Sequence, residues 1–235
     1  MNRLYLFVDL LSLSVPLLFS FHPKIQFHKT WRSLFPALIL TAILFLIWDA
    51  LFTARGVWGF NEKYITGIRL GNLPLEEILF FICIPYACVF TYYCLNRFYT
   101  IKWQERMKAV FPAAVAAILL AIGIFHINQL YTSVTFISTG ILILVFKYLF
   151  NVQWLDKYFT VYLVLLVPFF IVNGILTGSG LQEPVVWYND EENLGIRLFT
   201  IPVEDIFYGF EMILLNIFFY EYFNSRHDKN HITNE

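Results

Sequence analysis

The sequence predicts an all-α, polytopic membrane protein: seven transmembrane helices built from two parallel three-helix repeats joined by a linking helix. Three observations carry this expectation. Of the 235 residues, 59% are hydrophobic and only 14% are charged, whereas a soluble domain carries about 25% charged residues to meet water. Seven apolar runs come near the roughly 20 residues that a spanning helix needs. One motif-rich stretch also recurs 128 residues further along the chain.

The runs cover residues 4–21, 34–52, 75–95, 109–125, 130–150, 158–176 and 203–222. The first contains Asp9 and Pro16 and has no small-residue cleavage site behind it, so it reads as a span rather than a signal peptide. The fourth is the weakest, being short and only mildly hydrophobic over 113–117. With seven spans, five of the sixteen Lys and Arg residues fall on the N-terminal side and eleven on the other, Lys229 among the latter. The positive-inside rule then predicts N-out, C-in topology in a bacterial inner membrane. Sixteen basic against seventeen acidic residues leave no basic excess for nucleic acid. Cys83, Cys88 and Cys94 have no zinc or redox spacing and read as small helix residues.

The duplication is specific. Asn61, Gly67-Ile68-Arg69-Leu70 and Pro74-Leu75-Glu76-Glu77-Ile78 return as Asn189, Gly195-Ile196-Arg197-Leu198 and Pro202-Val203-Glu204-Asp205-Ile206. Upstream, Asp49 is matched by Asn173 with four extra residues in the second loop. Each copy reads as a helix, a second helix ending in a polar residue, a long loop, and a third helix opening with Pro-x-Glu-acid. The expected organisation is a first repeat over 1–100, a linking span over 101–128 and a second repeat over 129–235. An odd linking span points both repeats the same way, so the two acidic helix starts are expected on one face, opposite each other across an axis normal to the membrane.

Acids after Pro suit the first turn of any helix. Inside a membrane protein, however, acids at span ends are costly and mark function, and a cap does not require the accompanying Asn and Arg twice. Glu76, Glu77, Glu204 and Asp205 are therefore the candidate catalytic groups. Asp9, Asp49 and Glu211 lie at neighbouring depths, Glu211 seven residues beyond Glu204 with Tyr208 between them. Arg69 and Arg197 are expected to orient carboxylates through paired hydrogen bonds.

Several carboxyl groups in an apolar pocket share protons, which keeps one available as a general acid. Ionised neighbours and the faces of Trp58, Trp187, Tyr188 and Phe80 can steady a carbocation. This combination suits protonation of an alkene in a lipid-soluble polyene. No GxGxxG, His cluster, or Ser-His or Cys-His pairing is apparent, so neither cofactor nor metal is expected.

Residues 49–61, GNLPLEEILFF at 71–81 and IPVEDIFYGF at 201–210 resemble the membrane-integral lycopene β-cyclases, which occur as a two-subunit bacterial form and as single fused chains. The chain is similar to the fused form. The resemblance implies a non-redox isomerase (an intramolecular lyase) of carotenoid biosynthesis that closes the ψ ends of lycopene, or of other linear carotenoids, to β-ionone rings. The products are γ-carotene and then β-carotene. It also implies Glu76, Glu77, Glu204 and Asp205 as proton-transfer groups, with Asp49, Asn61, Asn72, Asn173 and Asn189 as polar support. Asp49 matched by Asn173 and Asn72 matched by Thr200 make the halves unequal.

The alternative from another class is a proton-coupled membrane transporter using the paired acids, disfavoured because the acids gather near one face. A Glu-Glu intramembrane protease lacks the Arg its motif expects. A prenyltransferase lacks Asp-rich pairs, and a retinal protein lacks a lysine in the seventh span.

Overall fold

The computed structural model describes residues 3–100 and 102–232, with side chains of the last helix described as far as Arg226. Lys229 and the outermost residues of the two expected repeats, 1–2 and 233–235, lie outside these limits.

The seven apolar runs fall on seven α-helices: α1 (Leu4–Phe19), α2 (Trp31–Ala54), α3 (Leu75–Phe98), α4 (Glu105–Phe125), α5 (Leu130–Leu144), α6 (Leu155–Leu176) and α7 (Val203–Ile232). A 3-10 turn, Phe27–Thr30, leads into α2, and a π turn, Val145–Leu149, extends α5. Six of these segments are long and apolar enough to cross a membrane, α4 among them, while α1 is apolar but shorter, at 16 residues. The chain is thus a mostly helical, polytopic integral membrane protein. Pro16, Pro36, Pro85, Pro112 and Pro168 lie inside helices. Membrane helices accommodate this, because neighbours and local 3-10 or π turns satisfy the freed backbone groups. Outward side chains such as Phe7, Leu18, Ile124, Leu163 and Ile171 are apolar, as a lipid surround requires.

The expectation of a purely α fold needs one correction. Among the described residues, six strands of two or three residues interrupt the long loops: β1 (Trp58–Phe60), β2 (Arg69–Leu70), β3 (Leu73–Pro74), β4 (Val186–Tyr188), β5 (Arg197–Leu198) and β6 (Ile201–Pro202). Such short strands carry no readable alternation. β2 and β3 form a hairpin with Arg69 opposite Pro74, and β5 and β6 form one with Arg197 opposite Pro202. Pro74 and Pro202 therefore close a strand immediately before the helix instead of occupying its first turn. The turns match in conformation and differ in residue: the left-handed position is taken by Gly71 in the first hairpin and by Phe199, 128 residues on, in the second.

The chain divides into two compact units. The first comprises Met1–Arg55, Phe60–Arg97 and Met212–Glu235; the second comprises Gly56–Gly59 and Phe98–Glu211. In the second, α4 and α5 approach closely at Gly123 and Gly140. A Cβ on Gly140 would lie 2.9 Å from Leu120 Cγ and 3.1 Å from the Ala116 carbonyl oxygen. Small residues allow this approach in membrane helices. Gly140→Leu is expected to destabilise the protein by about 1–3 kcal/mol through overpacking, read as a lower thermal midpoint in detergent. An unchanged midpoint would show that the helices can separate freely there.

Candidate active site

In the first unit the β2–β3 hairpin delivers the chain to α3, where the Leu75 amide donates to the Ile68 carbonyl at 2.8 Å. Glu76 and Glu77 follow, both buried. The Thr66 amide donates to Glu76 Oε1 at 2.6 Å, and the Tyr5 hydroxyl, from α1, donates to Glu77 Oε2 at 2.5 Å. Each acid is thus engaged from outside its own helix, which a simple cap does not require. Glu76 Oε2 is buried and has no hydrogen-bond partner among the described residues. Asp49 is buried at the end of α2, and Asn72 Nδ2 donates to the Ala50 carbonyl at 2.8 Å.

The same construction stands in the second unit, 128 residues on. The Val203 amide donates to the Ile196 carbonyl at 3.0 Å, and the Leu194 amide to Glu204 Oε1 at 2.8 Å. Thr132 Oγ1 donates to that oxygen as well, at 2.6 Å, and Glu204 Oε2 is again buried without a partner among the described residues. Asp205 accepts three hydrogen bonds: from the Tyr131 hydroxyl at 2.5 Å, Asn173 Nδ2 at 2.7 Å and the Tyr188 hydroxyl at 2.9 Å. Trp58, Tyr131, Tyr188 and Tyr208 form an aromatic cluster around this carboxylate, with Trp58 centroids 5.1–6.2 Å from the three tyrosine rings. Deeper on α7, Glu211 Oε2 accepts from Ser138 at 2.6 Å and Thr139 at 3.0 Å. Thr200 substitutes for Asn72 in kind: its hydroxyl donates to the Gly174 carbonyl at 3.3 Å, and Gly174 corresponds to Ala50 in the upstream register.

The family model described as Lycopene cyclase matches residues 2–95 and 128–223. The chain belongs to the lycopene cyclase family. Its two matched stretches contain both acid pairs and both hairpins. No curated protein and no solved structure is a match to the chain.

Several candidate site residues take places that the sequence did not indicate. Arg69 and Arg197 hold loop acids, not the paired ones. Arg69 binds Glu62 and donates to the Asn72 carbonyl at 2.8 Å; Arg197 binds Asp190 at 2.5 Å and donates to the Thr200 carbonyl at 2.9 Å. Both guanidiniums thereby brace a hairpin outside the helices. Part-burial pushes the Asp190 carboxyl up, but hydrogen bonds from Arg197 and Asn193 and the Arg197 charge hold it below the usual carboxylate range. Asn61 and Asn189 shape turns, their Oδ1 atoms accepting the amides of Lys63 and Glu191. Trp187 points away from Asp205, 44% exposed, its indole against Gly59. Alternation along a strand puts it on the face opposite Tyr188.

Tyr5, Tyr131, Thr132, Ser138 and Thr139 hold site carboxylates and were not singled out from sequence. A signal existed for the tyrosines: Asn2-Arg3-Leu4-Tyr5 and Asn128-Gln129-Leu130-Tyr131 match at an offset of 126. The Tyr5 amide donates to the Tyr64 carbonyl, and the Tyr131 amide to that of Glu192, the same residue 128 further on.

Proposed function

We propose that the chain is a lycopene β-cyclase, an isomerase that closes ψ ends of lycopene to β-ionone rings by acid–base chemistry. The observation that carries this reading is the family match across both acid pairs. Within it, Glu76 and Glu204 are the proton donors. Oε1 of each is occupied by a backbone amide, so in the carboxylic-acid form the Oε2–H is left to meet an alkene. Glu77 and Asp205, held by tyrosine hydroxyls, are the carboxylates that face the developing cation and accept a proton.

The donor adds H⁺ to C2 of the terminal alkene, leaving a tertiary cation at C1. The C5=C6 electrons form the C1–C6 bond and move the cation to C5. The carboxylate removes the C6 proton, and that electron pair becomes the C5=C6 bond of the ring. Hydrogen count and oxidation state are unchanged. Trp58, Tyr188 and Tyr208 supply ring faces that favour the cation where water is excluded. An apolar cavity of about 210 Å³ in the second unit, lined by Trp103, Phe111, Leu119, Phe159 and Phe210 among others, suits a hydrocarbon and not a polar ligand. In this reading residues 1–100 and 129–235 are the two parallel repeats, α1 serves as a seventh span, and the bias of Lys and Arg favours a C-terminus inside.

Purified protein in lipid vesicles is expected to convert lycopene to γ- and β-carotene without added flavin, nicotinamide or metal, the products being identified by chromatography. Strict dependence on reduced flavin, or no conversion at all, would overturn this reading. In the latter case, proton flux across the vesicle membrane would favour the transporter.

A further inference from the structure

An isomerase that protonates C2 and deprotonates C6 ends each ring with its donor ionised and its base protonated. The proton must return from base to donor before the next ring, and neighbouring residues on a helix point about 100° apart. The helix facing each acid pair carries a polar group suited to the gap. On α5, Tyr131 holds Asp205 and Thr132 holds Glu204. Thr135 lies one turn beyond both, at i+4 from the first and i+3 from the second, hence on their face. It is fully buried, and its hydroxyl has no hydrogen-bond partner among the described residues.

The equivalent position on α1 repeats the pattern with a different group. The offset of 126 that pairs Tyr5 with Tyr131 pairs Asp9 with Thr135, and Leu6 with Thr132. Asp9 is fully buried, and neither of its oxygens has a hydrogen-bond partner among the described residues. It lies one turn from Tyr5, which holds Glu77, and within electrostatic reach of Glu76. Where Leu6 offers no hydroxyl, a carboxyl occupies the next position. A partnerless polar group buried inside a span is costly and calls for a function.

Resting on the cyclase reading, we propose that Asp9 and Thr135 are positioning residues that return the proton from base to donor after each ring closes. In the first unit the proton taken by Glu77 passes through the Tyr5 hydroxyl to Asp9, and Asp9 delivers one to the Glu76 carboxylate. In the second it passes from Asp205 through the Tyr131 hydroxyl to that of Thr135, and Thr135 delivers one to the open Oε2 of Glu204, Oε1 being held by Thr132. Threonine in a helix has two accessible χ1 wells, so rotation of Thr135 turns its hydroxyl from one neighbour to the other. Each group that gives a proton up receives one, so no proton is gained or lost over the cycle.

The test is pre-steady-state conversion of excess lycopene by the purified protein in vesicles, comparing the parent with Asp9→Asn, Thr135→Val, Thr135→Ser and the double variant Asp9→Asn/Thr135→Val. The double variant is expected to form its first ring within about twofold of the parental rate and then to turn over at least tenfold more slowly. Asp9→Asn and Thr135→Val are each expected to halve the steady rate or lower it further, and Thr135→Ser to match the parent. Thr135→Val exchanges a partnerless hydroxyl for a methyl group and should fold as the parent does, so it stands as a test even where Asp9→Asn does not fold. A parental steady rate in the double variant would overturn the proposal. So would equal losses in the first ring and the steady rate, which signify a structural or direct chemical role. Lycopene left unconverted by the parent itself would instead overturn the cyclase reading, and this proposal with it.

Discussion

Glu76→Gln and Glu204→Gln are expected to reach near-parental membrane levels yet leave lycopene unconverted, or stalled at the one-ring product. The amide preserves size and the Oε1 acceptor used by the Thr66 and Leu194 amides, so the loop stays anchored. Loss of a helix-end charge interaction costs only about 0.3–1 kcal/mol, while loss of a general acid typically lowers rate by about 10²–10⁴-fold. Quantifying carotenoids against protein level in lycopene-accumulating cells separates the two effects. If both variants made β-carotene at the parental rate, the acids would be structural and the donor would have to be sought elsewhere, with Asp9 first in line.

Asp205→Ala is expected to do more than stop the chemistry. It removes the acceptor shared by Tyr131, Asn173 and Tyr188. Tyr131 is buried, and a buried donor left without a partner costs about 1–3 kcal/mol; with smaller losses at the half-buried Asn173 and Tyr188 this is a sizeable share of the roughly 5–15 kcal/mol that typically holds a domain folded. Protein level and thermal midpoint should both fall sharply. Asp205→Asn retains an acceptor oxygen and should fold, but it cannot take a proton, and its activity should fall, with Glu77→Gln behaving alike in the first unit. Parental stability for Asp205→Ala would show that the tyrosines find other acceptors and that the carboxylate does not organise the cluster.

Much of this architecture is legible in the sequence, because its cause is local. A helix in a membrane satisfies its own backbone groups, so an apolar run of sufficient length is enough to specify one, and all seven runs fall on helices. The recurring Asn, Gly-Ile-Arg-Leu and Pro-x-Glu-acid likewise mark the paired acids without any coordinates.

The partners of those acids are another matter. Tyr5 meets Glu77 across 72 residues, and Tyr131 meets Asp205 across 74. Contacts of that reach depend on how helices pack, and a lone tyrosine in an apolar run looks like any other core residue. The arginines show the converse. Beside the acids in sequence, they are expected to hold them, yet six-residue hairpins, 69–74 and 197–202, turn both guanidiniums outward to Glu62 and Asp190. Apolar periodicity and the duplicated motif by themselves determined a helical membrane chain with two acid pairs. Only the tertiary structure decided which oxygen of each acid is occupied and which buried polar groups lie beside it, because hydrogen-bond geometry is set by distances between helices and not by spacing along one.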